Sequence, residues 1–267
     1  MSVQTLYTAA TGMQSLETKL DVIANNLANV NTTSFKKARA NFEDLFYRQV
    51  KLPGLQDAQG TITPTGIAVG LGSRVSSTQT DFQQGAFQQS SRELDIAIEG
   101  KGFLQVTNTD GNPVYTRAGN LSINANGQLV LGSAQSGRLL DPPISIPPDA
   151  TGIVIGADGT VQVQQPGQSA LSTQGQINLA QFINPEGLLK LGENLYAATD
   201  ASGPATPGTP GQQGLGSIRQ NALEASNVEP VQELIDLITT QRAFELNSQA
   251  VQAGDQVLQL VANLRRY

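Results

Sequence analysis

The sequence of 267 residues contains no cysteine and no histidine. Without cysteine, the chain cannot form a disulfide, a cysteine–zinc site or a thiol nucleophile. Without histidine, it lacks the commonest general base, the commonest metal ligand and any Ser-His-Asp triad. These absences exclude catalysis by a thiol or an imidazole, and we expect no cofactor, no metal and no small-molecule substrate.

Charged residues are also sparse, at 14% of the chain, and acidic residues (22) outnumber basic ones (16). A net charge of −6 makes a nucleic-acid partner or an anionic membrane surface a poor match. No apolar run approaches the ~20 residues that span a bilayer. Residues 1–16 carry no charge, so the basic segment of a secretory signal is missing. We expect either a cytosolic protein or export by a route that reads an uncleaved N-terminus.

The first thirty residues carry a sustained heptad pattern. Its apolar positions, spaced alternately three and four apart, are Leu6, Ala9, Met13, Leu16, Leu20, Ile23, Leu27 and Val30. This spacing over more than three heptads predicts a coiled-coil helix. An amphipathic helix that packs on its own domain has the same period, so both arrangements stay open.

The last forty residues contain two such seams. The first C-terminal seam comprises Ala243, Leu246, Ala250, Ala253, Val257, Leu260 and Leu264. The second C-terminal seam comprises Leu237, Phe244, Val251 and Leu258. Ser226 or Asn227 can cap this helix, and Pro230 is tolerated in its first turn. Together the seams make an apolar face wider than one partner helix covers. The simplest arrangement pairs the two terminal helices within one subunit and leaves the second C-terminal seam for another subunit, unless the middle domain covers it.

Between the helices, short apolar or alternating runs are separated by turn signals. Asp110-Gly111, Asn126-Gly127 and Asp158-Gly159 lie between such runs and predict hairpins. Residues 199–216 are rich in Pro, Gly and Thr and are expected to form an extended surface loop. The predicted fold class is therefore mixed α and β, with N- and C-terminal coiled-coil helices paired together and a mostly antiparallel β middle domain.

No polar constellation in the sequence supports catalysis. Residues 100–102 (Gly-Lys-Gly) lack the Ser/Thr and the glycine spacing of a phosphate-binding loop. On an extended strand, Asp95 and Glu99 would lie about 13 Å apart at ~3.3 Å per residue, which is too far for a glycosidase pair. A strand-to-strand turn is the ordinary interpretation of this region.

Residues 23–36 combine an apolar seam with many asparagines. Asn25, Asn26, Asn29 and Asn31 are poor helix formers, but their amides can hydrogen-bond to neighbouring backbones and fix register. An ordinary polar helix face and C-cap would fit the same residues. The density of asparagine favours an interface role.

Several blocks of the sequence resemble the rod and hook proteins of the bacterial flagellum. These blocks are residues 24–32 with Phe35 and Lys36, 95–103, 115–119, 126–130, 192–196, 224–228 and 241–245. The glycine that usually precedes the aromatic residue is Ser34 here, which alters the expected helix cap. The resemblance covers nearly the whole chain.

The resemblance implies a three-part organisation. Residues 1–34 plus 227–267 would form a terminal helical coiled-coil domain that lines the inner tube. Residues 35–80 plus 215–226 would form a connecting β-rich region, and residues 81–214 an outer β domain.

The same resemblance implies a structural subunit of the distal rod and not an enzyme. Copies would stack helically into a rigid hollow shaft that spans periplasm and outer membrane, transmits torque and passes exported subunits. Implied partners are the chain itself, proximal rod proteins, the hook protein, the P-ring and L-ring proteins and the flagellar type III export apparatus. Export would need no cleaved signal peptide.

We predict that the subunit interface uses the seams and asparagines of both ends. The predicted residues are Leu6, Met13, Leu16, Leu20, Ile23, Asn25, Asn26, Leu27, Asn29, Val30, Asn31, Phe244, Leu246, Val251, Val257, Leu258, Leu260 and Leu264.

Residues 49–66 resemble an insertion that marks distal rod subunits. Prolines and glycines prevent this segment from continuing a helix. The residues of this segment that we predict to stiffen the rod are Gln49, Leu52, Pro53, Gly54, Pro64 and Gly66. We predict that it stiffens the rod by reaching a neighbouring subunit, although a floppy solvent loop is an alternative.

Two other functions stay open at this point. One is a different axial paralogue, either a proximal rod protein or the hook protein. The other is a secreted β protein that binds peptidoglycan.

Overall fold

The structure is a computed structural model that describes residues 3–54, 64–108, 110–132, 137–167 and 170–264. Two helices, α1 (Val3–Ala28) and α2 (Pro230–Leu264), enclose twenty β-strands in sequence. Every strand pairing in these ranges is antiparallel. The predicted mixed α and β class with an antiparallel middle is confirmed. Neither described helix is long and apolar enough to cross a membrane.

The chain divides into two compact units. Unit 1 comprises Met1–Ala28, Ala38–Thr80 and Glu229–Tyr267, and unit 2 comprises Asn29–Lys37 and Asp81–Val228. The three-part division concerns the assembled rod and stays a prediction.

Unit 1 combines both helices with four strands. The strands are β1 (Ala38–Asp44), β2 (Tyr47–Lys51), β3 (Ile67–Gly70) and β4 (Ser73–Thr80). β1 pairs with β4, and β2 pairs with β3. α1 contacts α2 and also β1 and β4. Gly72 lies so close to α1 that a Cβ there would be 2.1 Å from Oγ1 of Thr11, and its φ of +120° also requires glycine.

Unit 2 contains the remaining sixteen strands. They are β5 (Phe87–Gln89), β6 (Ile96–Glu99), β7 (Phe103–Thr107), β8 (Pro113–Thr116), β9 (Leu121–Ile123), β10 (Leu129–Leu131), β11 (Arg138–Leu139), β12 (Gly152–Ile155), β13 (Thr160–Gln164), β14 (Ser172–Gln176), β15 (Leu179–Gln181), β16 (Leu189–Gly192), β17 (Leu195–Ala197), β18 (Thr206–Gly208), β19 (Ser217–Gln220) and β20 (Ala222–Glu224). The largest sheet has the order β16-β17-β8-β7-β15-β18. Residues 199–216, predicted to be a loop, thus contribute the edge strand β18.

The core of unit 2 lies on both faces of this six-stranded sheet. Successive strand residues point to opposite faces, so Leu104 and Val106 join a large aliphatic cluster while Phe103 joins an aromatic one. In the aromatic cluster, Phe103 packs edge-to-face on Phe182 and Tyr196 at centroid distances of 5.7 and 6.0 Å. Because both faces are covered, the central strands β7, β8, β15 and β17 are mostly buried on both sides, while the edge strand β16 is exposed.

The three hairpin signals form turns between antiparallel neighbours, as predicted. Gly111, Gly127 and Gly159 have φ between +78° and +83° and connect β7 to β8, β9 to β10 and β12 to β13. Positive φ is easily adopted only by glycine, which is why the local signal was sufficient. Residues 100–102 instead connect strands of different sheets, because β6 pairs with β19.

Helix α2 begins later than the capping residues suggested. Pro230 is its first residue, and Glu233 N donates to Glu229 O, so neither Ser226 nor Asn227 is the cap. The Asn227 side chain accepts from Lys37 N at 2.8 Å and donates to Asp81 O at 2.9 Å. The Asn227 side chain, predicted as a possible helix cap, is therefore used for contacts with residues far away in sequence.

We expect Gly119→Ala to destabilise unit 2 by several kcal/mol, on the order of a strongly overpacked core. A Cβ at Gly119 would lie 1.8 Å from Ile96 O. The two backbones are held at this close approach, because Ile96 N donates to Gly119 O at 2.9 Å. Urea unfolding of the purified chain measures the change.

The matched control for that substitution is Gly152→Ala, in strand β12. A Cβ there would meet only the Gln164 side chain, at 3.7 Å. We expect a change within about 1 kcal/mol. Equal effects of the two substitutions would contradict the proposed close approach at Gly119.

Candidate assembly interface

One face of α2 is covered within the chain. Buried or half-buried residues recur on it with heptad spacing at Glu233, Leu237, Thr240, Phe244, Asn247, Val251, Gly254 and Leu258. Three of these residues have contacts to α1: Glu233 with Asn26, Asn247 with Gly12, and Gly254 with Leu6. The second C-terminal seam therefore packs toward α1.

The opposite side of α2 exposes a row of large apolar side chains. They are Val231, Leu234, Ile235, Ile238, Leu246 and Leu260. Leu246 is 66% exposed and Leu260 is 63% exposed, and both belong to the first C-terminal seam. The first C-terminal seam is thus the more exposed of the two within the chain, whereas the sequence predicts that the second one is left uncovered. Both seams have the same period, and only the partner helix distinguishes them.

The predicted interface residues differ in how much of each is covered. Ile23 and Asn26 are buried. Half-buried are Leu6, Met13, Leu16, Leu20, Leu27, Asn29, Val30, Phe244, Val251, Val257 and Leu258. Exposed are Asn25, Asn31, Leu246 and Leu260. The Leu264 side chain lies outside the described residues. Their contact with another subunit stays a prediction.

The side chain of Asn26 makes three described hydrogen bonds. Its side chain accepts from Ala38 N at 2.9 Å and donates to Ala38 O at 2.8 Å, as a β-bridge partner would. The same amide nitrogen lies 3.3 Å from Oε2 of Glu233. Asn26 therefore links α1, the start of β1 and α2.

The β2–β3 ladder presents a second exposed apolar surface. Phe46 is 88% exposed, and Tyr47, Val50, Leu52, Ile67 and Val69 are also exposed. This ladder encloses the predicted stiffening segment. Gln49, Leu52, Pro53, Gly54, Pro64 and Gly66 are all exposed, and residues 55–63 lie outside the described residues. A Cβ at Gly66 would be 2.8 Å from Pro53 N, so the two ends of the segment meet closely.

A buried charge cluster, formed by Lys36, Arg117 and Glu224, holds the linker at residues 33–37 within unit 2. Nζ of Lys36 is 2.6 Å from Oε1 of Glu224, and Nε of Arg117 is 2.9 Å from Oε2. Side-chain exposure is 0%, 3% and 0% for Lys36, Arg117 and Glu224. A single carboxylate thus pairs with two cations, and one positive charge is left over.

Backbone carbonyls stabilise the remaining positive charge. The Arg117 guanidinium donates to Ile98 O, Gly100 O and Gly102 O at 3.0–3.3 Å. Lys36 Nζ also donates to Gln83 O at 2.6 Å. Burial lowers the pKa of Lys36, and the attraction of Glu224 opposes that effect. Each cationic nitrogen of the cluster therefore has at least one acceptor.

Ser34 shows why this linker is shaped as it is. Its φ of +59° is a left-handed conformation that glycine adopts more easily. Ser34 N donates to Glu224 O at 2.7 Å, and its hydroxyl donates to Arg117 O at 2.9 Å. These two hydrogen bonds compensate for the missing glycine.

The hairpin of β16 and β17 holds the same linker from a different sheet. Nζ of Lys190 donates to Lys36 O at 3.2 Å and lies 5.4 Å from the centre of the Phe35 ring. The Asn194 side chain donates to Thr33 O at 3.0 Å. Five sequence blocks that resemble one family therefore meet around the linker.

Sequence reasoning missed this cluster. Its members are separated by 188 and 107 positions from Glu224, and no local pattern joins them. The available signal was the occurrence of isolated charges inside otherwise apolar blocks of a chain with few charges.

Three family models match the chain. "Flagella basal body rod protein" matches residues 6–36, "Flagellar hook protein FlgE/F/G D1 domain" residues 97–163, and "Flagellar basal body rod FlgEFG protein C-terminal" residues 219–264.

Full-length relatives agree with these models. The chain is 44% identical to the flagellar basal-body rod protein FlgG of Caulobacter vibrioides, over 98% of this chain and all of the relative. It is 38% identical to FlgG of Bacillus subtilis, over 99% and 100%. Identity to the flagellar hook-basal body complex protein FlhP of Bacillus subtilis is 33%, over 98% and 100%.

One solved structure is also similar, the crystal structure of Helicobacter pylori flagellar hook protein FlgE2. Identity is 13% and the TM-score is 0.24, over 71% of this chain and 43% of that chain. A likeness this low supports no structural argument.

We expect Glu224→Gln to destabilise unit 2 by about 3–5 kcal/mol, because two buried cations lose their counter-ion. Urea unfolding of the purified chain measures this.

The matched control is Glu43→Gln, which removes the carboxylate from the exposed pair with Arg74. An exposed ion pair contributes about 0–1 kcal/mol, so this variant should unfold nearly as the parent does. If both variants unfold alike, the buried cluster does not stabilise unit 2.

Proposed function

Because this chain belongs to the family of flagellar basal-body rod proteins, we propose that it is a structural subunit of the distal rod, a rigid hollow shaft that transmits torque to the hook. Full-length identity of about 40% to rod proteins carries this proposal. Identity to FlgG proteins exceeds that to the hook-basal body complex protein FlhP, which favours the FlgG kind of subunit over another axial paralogue.

The exposed apolar row on α2 supports self-assembly. Six large apolar side chains in one row exceed the single exposed residues of an ordinary surface. Burying each such side chain stabilises an assembly by about 1.5–3 kcal/mol. A second copy of the chain is the proposed occupant, since a helical polymer repeats one contact at every subunit.

We propose that α1 and α2 pair as an antiparallel coiled coil that forms the inner layer of the rod. The heptad recurrence of covered residues on α2 supports this. The central passage would carry exported subunits.

The surroundings of the rod are proposed from the family alone. Proximal rod proteins and the hook would continue the axis, and the P-ring and L-ring proteins would surround it between periplasm and outer membrane. Delivery would use the flagellar type III apparatus without cleavage of a signal peptide.

The segment at residues 49–66 is proposed to stiffen the rod. The exposed apolar surface of the β2–β3 ladder supports a contact with a neighbouring subunit. Such a contact would oppose the axial sliding that bending requires.

We expect Leu246→Asp to abolish rod assembly, because an unpaired carboxylate in an apolar contact costs several kcal/mol at each subunit. Motility in soft agar and electron microscopy of basal bodies report the loss. Gln252→Asp, another exposed α2 position, introduces the same charge in place of a polar side chain and should leave motility intact. Normal motility of Leu246→Asp would refute the proposed contact.

Replacing residues 52–66 by Asn-Gly tests the stiffening role. The two-residue turn closes the ladder at its last pair, Lys51 with Ile67, and keeps β2 and β3 paired. We expect subunits to polymerise into curved or flexible tubes under the electron microscope. A Gly/Ser loop of the original length separates lost contacts from lost length. Straight tubes from both replacements would contradict a stiffening role.

A further inference from the structure

We propose that Asn26 is a positioning residue that fixes the axial register of α1 against α2. This inference rests on the proposed function, because the register decides where the exposed row of α2 is presented to a second copy. Asn26 would select one axial register, which the apolar seams cannot do because they repeat every seven residues.

Three contacts define the register. Leu6 lies against Gly254, Gly12 against Asn247, and Asn26 against Glu233. As the contact advances along α1, it retreats by nearly the same number of residues along α2. The two helices are therefore antiparallel, and all three contacts belong to one register.

Apolar packing alone does not select this register. The covered residues of α2 recur every seven residues. After a slide of one heptad, the covered face of α2 would therefore still face the heptad seam of α1. Seven residues correspond to about 10.5 Å at 1.5 Å per residue. Such a slide would move the exposed row by the same distance relative to α1.

Asn26 makes the slide unfavourable. Its side chain is 2% exposed and Glu233 is 7% exposed, so both polar groups are buried. After a slide of one heptad, the contact between Asn26 and Glu233 is lost. Buried polar groups without partners destabilise a state far more than a satisfied pair stabilises it. Because Asn26 also bonds both backbone groups of Ala38, the register of α2 is set relative to β1.

Two glycines reinforce the same register by shape. A Cβ at Gly254 would lie 2.5 Å from Cδ2 of Leu6, so glycine at this site lets Leu6 pack there without having to shift. Asn247 lies one heptad before Gly254. After a slide of one heptad, its side chain would face Leu6 in place of the glycine. In the observed register, Asn247 packs against Gly12. A Cβ at Gly12 would lie 3.3 Å from Nδ2 of Asn247.

Disulfide cross-linking of the purified full-length chain tests the proposal. The chain has no cysteine, so only introduced pairs react. Gly12→Cys with Asn247→Cys reports the native register. Gly12→Cys with Thr240→Cys reports a slide of one heptad and leaves Gly254 unchanged. Each pair is placed in the parent, in Asn26→Leu, in Glu233→Leu and in Glu233→Gln, and intramolecular disulfide yields are compared between backgrounds.

We expect the shifted disulfide to rise roughly tenfold over the native one in Asn26→Leu and Glu233→Leu, since hydrogen bonds that involve a charged group are among the stronger ones. Glu233→Gln keeps an acceptor for Asn26 and should retain the parent pattern. A residue that only stabilises the helix pair would lower all yields without producing the shifted disulfide.

The parent pattern in both leucine variants would overturn the proposal, as would the absence of a preference for the native pair in the parent. If Asn26→Leu fails to fold, Glu233→Leu decides, because it leaves the bonds of Asn26 to Ala38 intact. The readout lies within one chain and needs no rod. Failure of the register proposal is therefore distinct from failure of assembly, which the Leu246→Asp motility test reports.

Discussion

The conformation of the linker at residues 33–37 depends on the ion pairs that the carboxylate of Glu224 makes with Lys36 and Arg117. The carboxylate faces one lysine and one arginine, and all three side chains are buried, so the cluster keeps an excess positive charge that backbone carbonyls help to offset. Buried ion clusters of this kind are not efficient stabilisers, since apolar side chains of similar volume would often do as well. Their geometry is demanding, however. We interpret the cluster as selecting one conformation of residues 33–37, including the left-handed Ser34.

The long sequence separation within the cluster has a consequence for folding. Lys36 meets a residue 188 positions later, and contacts this distant are formed only after a large entropy loss. The linker therefore cannot adopt its final conformation until strand β20 has joined the fold. Unit 1 has the same property, because its two helices come from opposite ends of the chain. Unit 1 thus needs both ends of the chain, and unit 2 needs segments at both ends of residues 29–228.

Local physics explains which features were predictable. The hairpins at Gly111, Gly127 and Gly159 depend on a positive φ that the sequence displays directly. Both helices followed from their period. Which α2 seam faces α1 did not, because Gly254 and Thr240 make close packing possible on a face that looks less apolar than the row with Leu246. The charge cluster and the side-chain role of Asn227 were hidden for a related reason, since each depends on partners far away in sequence.

The division of α2 into a covered face and an exposed row would link the order within the chain to the proposed assembly. A polymer contact built on Leu246 and Leu260 is only as well placed as the helix that presents them. Leucine rows tolerate sliding, whereas a buried amide with three specific partners does not. The polar residues at the helix pair therefore give positional accuracy that the apolar seams lack. In a chain with so few charges, burying Glu233 beside Asn26 follows the same logic as burying Glu224 between two cations. In both units, a costly polar contact stands where apolar packing alone would leave alternatives.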